Sequence, residues 1–302
     1  MDTISLHQNA VDRYQNYIRS FIDIHDEDIR QEVSEQLAQG KLWPEPLIHF
    51  NPAYQAGADL KSLVSEGVLE KETSNVFSGF SLHWHQKQAL RLGSSGNSFV
   101  VTSGTGSGKS LTYIGTIFNK LFAAGAGKGV KALIVYPMNA LVNSQNEELK
   151  RHAEQYSKTA GKPFPITFNE YTGQTKAEVR QQILDSPPDI LLTNYMMLEL
   201  LLTRAGEEQL RNSIFGSLEF LALDELHTYR GRQGADISYL IRRIKALTEH
   251  KVVCMGTSAT MASEGDYDER QAVVASIAST IFGENITKEQ VIGEKLARSL
   301  KC

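Results

Sequence analysis

The feature that most constrains the fold of this chain is an alternation of two periodicities between residues 98 and 257. The apolar, β-branched runs cover residues 98–102, 132–136, 166–170, 189–193, 220–224 and 252–257, and the helical stretches cover 109–124, 140–156, 176–184 and 235–247. Strands that alternate with helices predict βαβ units and an α/β fold, a parallel sheet covered by helices. Such sheets bind ligands at the carboxyl ends of their strands. The residues that follow each strand are therefore the candidate functional residues.

Composition and charge restrict the class of protein further. The 302 residues are 41% hydrophobic and 22% charged, which is typical of a soluble globular protein. The chain has only two cysteines, Cys254 and Cys302, which are too few for a disulfide framework. This cysteine usage predicts a reducing, cytoplasmic location. The sequence contains no run of about 18 apolar residues, so no membrane span is predicted. The N-terminus lacks the apolar core of a signal peptide. A net charge of −4 argues against coating nucleic acid by bulk charge but allows a confined binding groove.

The charge is unevenly distributed along the chain. Residues 1–80 contain 13 acidic and 6 basic residues, a net charge of −7, whereas the remainder contains 25 basic and 22 acidic residues, a net charge of +3. This shift predicts an acidic, mostly helical N-terminal extension over residues 1–79 and a second domain over residues 80–302. The extension is predicted to contain a helix over 8–39 and a short helix over 59–66. The C-terminal end is predicted to contain a polar linker and two helices, over about 268–281 and 287–300.

A glycine-rich segment follows the first predicted strand. Its glycines allow backbone N–H groups to turn inward around phosphate oxygens, and the helix that opens at Lys109 adds the positive end of its dipole. In such a loop Lys109 reaches the β- and γ-phosphates and the Ser110 hydroxyl binds Mg²⁺. The alternative is a flexible Gly/Ser turn. The predicted nucleotide-binding residues are Thr105, Gly106, Ser107, Gly108, Lys109 and Ser110.

A pair of carboxylates ends the buried run before residue 224. An Asp at the end of a strand facing a phosphate loop can hold Mg²⁺, and an adjacent Glu can orient or deprotonate the attacking water. Asp224 and Glu225 are the candidates, with His227 two residues further on. A helix N-cap would explain Asp224 alone. It would not explain an acid pair that follows a buried strand.

Together these segments resemble three motifs of the superfamily 2 helicases. Ser103-Gly-Thr-Gly-Ser-Gly-Lys109-Ser110 resembles motif I, Asp224-Glu-Leu-His227 resembles motif II, and Ser258-Ala-Thr260 resembles motif III. Many phosphate loops carry Gly where this chain has Ser103, but this family usually has Ala or Ser there. Other matches occur in the family's order: His85-Gln86 resembles the Q motif, Pro137-Met-Asn139-Ala-Leu141 motif Ia, Tyr171-Thr172-Gly173 motif Ib, and Thr193-Asn194-Tyr195 a further strand-end contact.

The resemblance implies a RecA-like P-loop NTPase domain that uses ATP and Mg²⁺. It implies that Gln86 reads adenine and that Lys109, Asp224, Glu225 and His227 are catalytic. Ser258 and Thr260 are expected to couple hydrolysis to nucleic-acid binding. The expected nucleic-acid contacts are Pro137, Asn139, Thr172, Gly173, Thr193, Asn194 and Arg230. The alternatives from the residues alone are a solvated helical Gln, ordinary turn residues and a solvated Arg.

The residues after motif II specify the resemblance further. His227-Thr-Tyr-Arg230-Gly231 resembles the DExH helicases related to the large helicase-related and mitomycin-repair helicases. Those relatives act on DNA, so the resemblance favours DNA as the nucleic-acid partner. Asn119-Lys120 lies inside a predicted helix without the Asp that guanine recognition requires, which disfavours a GTPase.

The family's remaining motifs belong to a second RecA-like domain, and residues 261–302 are too few to form one. The expected function is therefore the first motor half of an ATP-dependent nucleic-acid helicase or translocase. A second RecA-like domain, in a longer chain or a partner protein, would supply the arginine finger. The alternative is a non-motor ATP-binding or regulatory module that needs a partner for hydrolysis.

Overall fold

The structure, a computed structural model, describes residues 2–21, 23–39, 53–259 and 266–297. The chain divides into two compact units, Met1–Asn51 and Pro52–Cys302. The division predicted near residue 80 stays a prediction about domain organisation, and the structure adds that residues from Ala53 onward belong to the second unit. Within the described ranges, no helix is long and apolar enough to cross a membrane.

The first unit contains two helices, α1 (Thr3–Phe21) and α2 (Glu27–Ala38). The single helix predicted over 8–39 is therefore interrupted. Asp26 caps α2, because its side chain accepts hydrogen bonds from the backbone N–H groups of Asp28 and Ile29. An N-cap Asp satisfies amides that have no partner inside the helix, which fixes a helix start at this point.

The second unit is built on a parallel sheet. Its strands in chain order are β1 (Ala56–Asp59), β2 (Ser81–His83), β3 (Phe99–Thr102), β4 (Ala132–Tyr136), β5 (Phe168–Glu170), β6 (Ile190–Asn194), β7 (Phe220–Leu223), β8 (Val253–Ser258) and β9 (Val291–Gly293). Seven of these form one sheet in the order β5-β6-β4-β7-β8-β3-β9, with every pair parallel, and β1 and β2 form a separate antiparallel pair. This confirms the predicted α/β fold with a RecA-like parallel sheet.

Helices cover both faces of this sheet. They are α3 (Leu60–Ser65), α4 (Lys71–Val76), α5 (Trp84–Ser94), α6 (Ser110–Ala124), α7 (Asn139–Ala160), α8 (Ala177–Asp185), α9 (Tyr195–Thr203), α10 (Glu208–Ser217), α11 (Gly231–Leu247) and α12 (Tyr267–Phe282). The strand side chains alternate between two buried clusters. Phe99 and Val101 pack with the cluster that contains α3 to α7, whereas Val100 packs with the cluster that contains α8 to α12. The period of two along a strand explains this division.

The segment between β1 and α5 attaches to the sheet through helix packing. Gly93 on α5 lies against Thr116 on α6, where any Cβ would overlap the Thr116 side chain. Asn119 on α6 accepts the Glu70 N–H at 2.6 Å and donates to Val68 O at 3.1 Å. The close approach fixes α5 against α6, so the helix that carries Gln86 and the helix after the phosphate loop are packed directly together.

The last strand corrects one sequence prediction. A helix was predicted over 287–300, but the structure has a short 3-10 turn, Lys288–Gln290, followed by β9. Val100, Val101 and Thr102 pair with Val291, Ile292 and Gly293, so β9 forms the edge of the sheet beside β3. Three residues are too short a run to give a strand pattern, and the polar residues around them favour a helix.

Candidate nucleotide and nucleic-acid site

Three neighbouring strands bring the predicted motif residues to one edge of the sheet. β8 lies between β3 and β7, with Thr102 opposite Ser258 and Leu223 opposite Gly256. The phosphate loop leaves β3, the two acids leave β7, and Ser258 ends β8. Because the strands are parallel, their carboxyl ends meet at the same edge, as expected for ligand sites in α/β sheets.

The phosphate loop connects β3 to α6. Gly106 and Gly108 have φ angles of 75° and 72°, which side-chain-bearing residues rarely adopt. The Ser103 and Ser107 hydroxyls lie 2.6 Å apart and close the loop on itself. The Lys109 ammonium donates to Ser103 O at 2.9 Å and to Gly104 O at 3.0 Å. The loop therefore has the wound backbone and the buried ammonium that a phosphate cradle requires.

Helix α5 contacts the back of this loop. The Gln86 amide donates to Gly108 O at 2.9 Å and lies 3.3 Å from Ser107 O, while its carbonyl accepts the His83 N–H at 2.8 Å. His85 Nε2 lies 3.1 Å from Ser107 O. Burial lowers the pKa of His85 to about 4, so the ring is neutral at pH 7 and Nε2–H donates. In this geometry Gln86 holds the phosphate loop, and its adenine contact stays a prediction.

Asp224 is a buried carboxylate that is held on several sides. Its N–H donates to Val135 O at 2.9 Å, and its Oδ1 accepts a hydrogen bond from the Thr257 hydroxyl. Burial raises the pKa of Asp224, the Thr257 hydrogen bond lowers it, Glu225 raises it, and Lys109 lowers it. Thr257 was not predicted as a site residue, although it immediately precedes Ser258 at the end of a buried strand.

Glu225 adopts a left-handed backbone, with φ 53° and ψ 54°. Among the described residues it is the one non-glycine residue with positive φ. Its Oε2 lies 3.2 Å from His227 Nδ1, which also lies 3.3 Å from the Ser258 hydroxyl. The Glu225–His227 approach lacks the angle of a hydrogen bond, since Glu225 Oε2 has no hydrogen-bond partner. The structure thus brings Glu225, His227 and Ser258 into one polar group.

The donor chemistry at this edge fits Mg²⁺. A carboxylate and a hydroxyl are hard oxygen ligands, and Mg²⁺ is usually held by one or two carboxylates together with substrate phosphates. At such a site Asp224 would supply the carboxylate, and Ser110, the first residue of α6, would supply the hydroxyl. In the part of the chain that the structure describes, no three His, Cys, Asp or Glu side chains form a cluster that could hold a metal ion.

The expected nucleic-acid residues lie farther along the same edge of the sheet. Asn139 follows β4 and Asn194 ends the neighbouring β6, and the Asn194 amide donates to Asn139 Oδ1 at 2.6 Å. Asn194 also caps α9 by accepting the Met197 N–H at 2.8 Å. Pro137 is half-buried, and the next residue, Met138, is 56% exposed. The structure therefore joins the motif Ia residues to the Thr193–Asn194 turn.

Two of the expected hydroxyl contacts point inward. The Thr193 hydroxyl donates to Tyr171 O at 2.6 Å, and Thr193 is fully buried. Thr172 is also buried, and its hydroxyl accepts the Gln174 N–H at 3.2 Å. Gly173 is exposed. The Thr172 and Thr193 hydroxyls therefore have partners inside the protein, and within Tyr171–Gly173 the exposed residue is Gly173.

Of the two remaining expected residues, the structure describes Arg230 but not Thr260. Arg230 is exposed at the start of α11, and the side chain of Tyr229 beside it is buried. Thr260, the second expected coupling residue, lies outside the described residues.

Comparison with known proteins gives a family match over the region that holds these motifs. The model of the DEAD/DEAH box helicase family matches residues 84–266. An uncharacterized ATP-dependent helicase of Methanocaldococcus jannaschii is 29% identical over 63% of this chain, and the match covers 27% of that protein. This chain therefore spans about a quarter of the length of that relative.

Two solved structures share the fold. Mycobacterium smegmatis helicase Lhr bound to ssDNA and AMP-PNP has a TM-score of 0.64 and 26% identity, over 77% of this chain and 28% of that one. The DUF1998 helicase MrfA bound to DNA and AMPPNP has a TM-score of 0.63 and 21% identity, over 85% of this chain and 33% of that one. The match to Lhr confirms the predicted resemblance to the large helicase-related branch of superfamily 2, and the match to MrfA shows a shared fold.

Proposed function

Because this chain belongs to the DEAD/DEAH box helicase family, we propose that its second unit is the first motor domain of an ATP-dependent helicase or translocase that acts on DNA. The observation that carries the proposal is the adjacency of β3, β8 and β7. It brings the phosphate loop, Ser258 and the Asp224–Glu225 pair to one edge. DNA is the favoured substrate because the solved structures of Lhr and MrfA contain DNA.

The phosphate loop binds the ATP phosphates. Its backbone N–H groups and the N-terminus of α6 surround the phosphate oxygens, and Lys109 moves from the loop carbonyls to the β- and γ-phosphates. Asp224 and Ser110 would hold Mg²⁺, which would supply positive charge to neutralise the charge that develops on the transferred phosphoryl group. Thr257 fixes the Asp224 carboxylate toward this position by donating to its Oδ1.

Glu225 orients and deprotonates the attacking water. It directly follows Asp224, and its left-handed backbone turns the chain sharply after β7. His227 lies between the Glu225 carboxylate and the Ser258 hydroxyl, at 3.2 and 3.3 Å. His227 therefore contacts both the water-activating acid and the residue that ends β8. Ser258 thereby links hydrolysis to the rest of the sheet edge.

The Asn139–Asn194 pair, Gly173 and Arg230 form the nucleic-acid contacts. Amide groups and exposed backbone N–H groups bind phosphodiester oxygens without reading sequence. A second RecA-like domain, in a longer chain or a partner, supplies the arginine finger, which is typically worth about 10³–10⁵ in rate. We therefore expect this chain alone to bind ATP and to hydrolyse it slowly.

The test is steady-state ATPase of the complete motor, in which this chain works with the second RecA-like domain, measured with and without single-stranded DNA. Lys109→Ala removes the ammonium that reaches the phosphates, so DNA-stimulated hydrolysis should fall to background. Lys158→Ala removes an exposed lysine on α7 and is the matched control, which should keep wild-type turnover. Single-stranded RNA of the same length should stimulate turnover less than DNA does.

Wild-type, DNA-stimulated turnover in Lys109→Ala would refute the proposed motor. Unfolding temperatures of both variants near the wild-type value would show that lost turnover comes from the missing ammonium. Equal stimulation by RNA would overturn the choice of DNA alone.

A further inference from the structure

Two short segments from opposite ends of the second unit pair with each other beside the phosphate loop. Residues 53–55 and 294–297, here called the strap, are joined by an antiparallel bridge between Tyr54 and Leu296. The Gln55 N–H donates to Lys295 O at 2.8 Å, and the Ala297 N–H donates to Ala53 O at 2.7 Å. The second half of the strap directly follows β9, the strand that pairs with β3.

The strap is also fixed to α5. The Trp84 N–H donates to Gln55 O at 2.9 Å, and the Lys295 ammonium lies 3.8 Å from the centre of the Trp84 ring. The Tyr54 ring lies 5.1 Å from the His83 ring and 5.7 Å from the His85 ring, measured between centroids. Because α5 itself holds the phosphate loop through His85 and Gln86, the strap and the loop share one support.

The strap places a carboxylate directly on the loop. Glu294 Oε2 accepts the Gly104 N–H at 2.8 Å. The Tyr54 hydroxyl lies beside Gly104, 2.9 Å from where a Cβ on that residue would be, and the pKa of Tyr54 is raised first by burial and then by the nearby Glu294 charge. In the described part of the chain, Glu294 forms no ion pair with a Lys or Arg side chain. Its hydrogen-bond partner is a backbone amide of the phosphate loop.

Gly104 lies at the end of the loop whose carbonyl groups hold the Lys109 ammonium. The Lys109 ammonium lies 3.0 Å from Gly104 O, and this lysine reaches the β- and γ-phosphates of a bound nucleotide. A carboxylate on the Gly104 amide therefore stands near the charge that distinguishes a triphosphate from a diphosphate. The negative Glu294 carboxylate and a negative terminal phosphate repel each other, and the repulsion is strong where water is partly excluded.

We propose that Glu294 is a specificity-determining residue of the nucleotide site, which a triphosphate must displace from the Gly104 amide and a diphosphate need not. The inference rests on the proposed function, because it takes the loop to bind ATP. A pocket of about 390 Å³ beside the loop gives the carboxylate a place to move. Arg270 and Glu294 both line this pocket, so the displaced charge has a cation within the same space.

The experiment is equilibrium binding of fluorescent ATP and ADP analogues, with Mg²⁺, to the intact protein. Glu294→Gln keeps an oxygen that can accept the Gly104 N–H but removes the charge. We expect ATP affinity to rise about tenfold, equivalent to ~1.4 kcal/mol, and ADP affinity to change by less than about twofold. Glu289→Gln removes an exposed acid five residues earlier and should leave both affinities unchanged.

The ratio of the two affinities decides the outcome. Unchanged ATP affinity in Glu294→Gln, or an equal gain for ATP and ADP, would overturn the inference. Lys109→Ala in the same titration separates this result from the proposed function. If Lys109→Ala binds ATP as wild type does, the phosphate-loop assignment fails. If it loses ATP and Glu294→Gln matches wild type, the assignment stands and the role of Glu294 is rejected.

Discussion

Replacing Thr257 by Val tests how Asp224 is held. The Thr257 hydroxyl donates to Asp224 Oδ1 and accepts the Glu225 N–H at 3.3 Å, and both Thr257 and Asp224 are buried. Valine keeps the shape of the side chain but removes the hydroxyl. Thr257→Ser keeps the hydroxyl and loses one methyl group. The two variants therefore separate the hydrogen bond from the packing.

The magnitude follows from leaving a buried carboxylate without its partner. A hydrogen bond to a charged group contributes ~1.5–3 kcal/mol. If Asp224 must be fixed and ionised in the transition state, that loss lowers kcat/KM by about 10- to 100-fold. Thr257→Ser should stay within about threefold of wild type, because the hydroxyl that bonds Asp224 remains.

The pH dependence of activity and of stability separates the effect of this hydrogen bond from the effect of packing. The Thr257 hydrogen bond lowers the pKa of Asp224, so its removal raises that pKa and moves the acid limb of the ATPase profile to higher pH. Burial already raises the pKa of Asp224 in the folded state, so this acid destabilises the fold as pH rises through the raised pKa. The stability lost in Thr257→Val should therefore be larger at pH 7 than at pH 4.

The assay is DNA-stimulated ATPase between pH 5 and 9, with urea unfolding at pH 4 and 7. A wild-type acid limb in Thr257→Val would refute the argument that this hydroxyl sets the ionisation of Asp224. A loss of activity equal to that of Thr257→Ser would assign the effect to packing.

Other changes have equally specific outcomes. Glu225→Gln should lower ATP turnover by at least about 100-fold while ATP binding persists, because the amide cannot take a proton from water; paired turnover and binding measurements check this. Asn139→Ala and Asn194→Ala should each weaken single-stranded DNA binding about fivefold. The double variant should weaken it by no more than about tenfold, because the two amides are bonded to each other. Fluorescence anisotropy measures the affinity of all three variants, and fully additive losses would contradict the pairing. Gly108→Ala should abolish ATP binding and lower the unfolding temperature, because φ is 72° and a Cβ would meet Gln86 Nε2 at 2.5 Å; calorimetry and nucleotide titration check both.

The sequence predicted the central strands of the sheet well. Ala132–Tyr136 and Phe220–Leu223 are continuous apolar runs because both faces of these strands are covered, and such runs identify themselves without knowledge of their partners. β9 and β1 were missed for the opposite reason. Val291–Gly293 and Ala56–Asp59 are short, and they become strands through pairing with residues far away in the chain.

The site residues also differ in whether the sequence could predict them. Residues that follow a strand could be placed by sequence, because strand ends of a parallel sheet share one edge. Tyr54 and Glu294 could not, because the Glu294–Gly104 contact joins positions 190 residues apart and Tyr54 depends on an unforeseen pairing of chain segments. Thr257 ends a predicted strand, but its hydrogen bond to Asp224, 33 residues earlier, was not predicted. Gln86 shows a further limit. Sequence located it near the nucleotide, but its hydrogen bonds to Ser107 and Gly108 are set by how closely α5 approaches the loop.

The left-handed backbone of Glu225 has a consequence for engineering the protein. An L-residue pays roughly 1 kcal/mol for this conformation, whereas glycine adopts it freely. Glu225→Gly should therefore raise thermal stability while it removes the side chain on which the proposed chemistry depends. A library selected for heat resistance alone would become enriched in inactive variants at this position, so any such selection must score turnover and survival together.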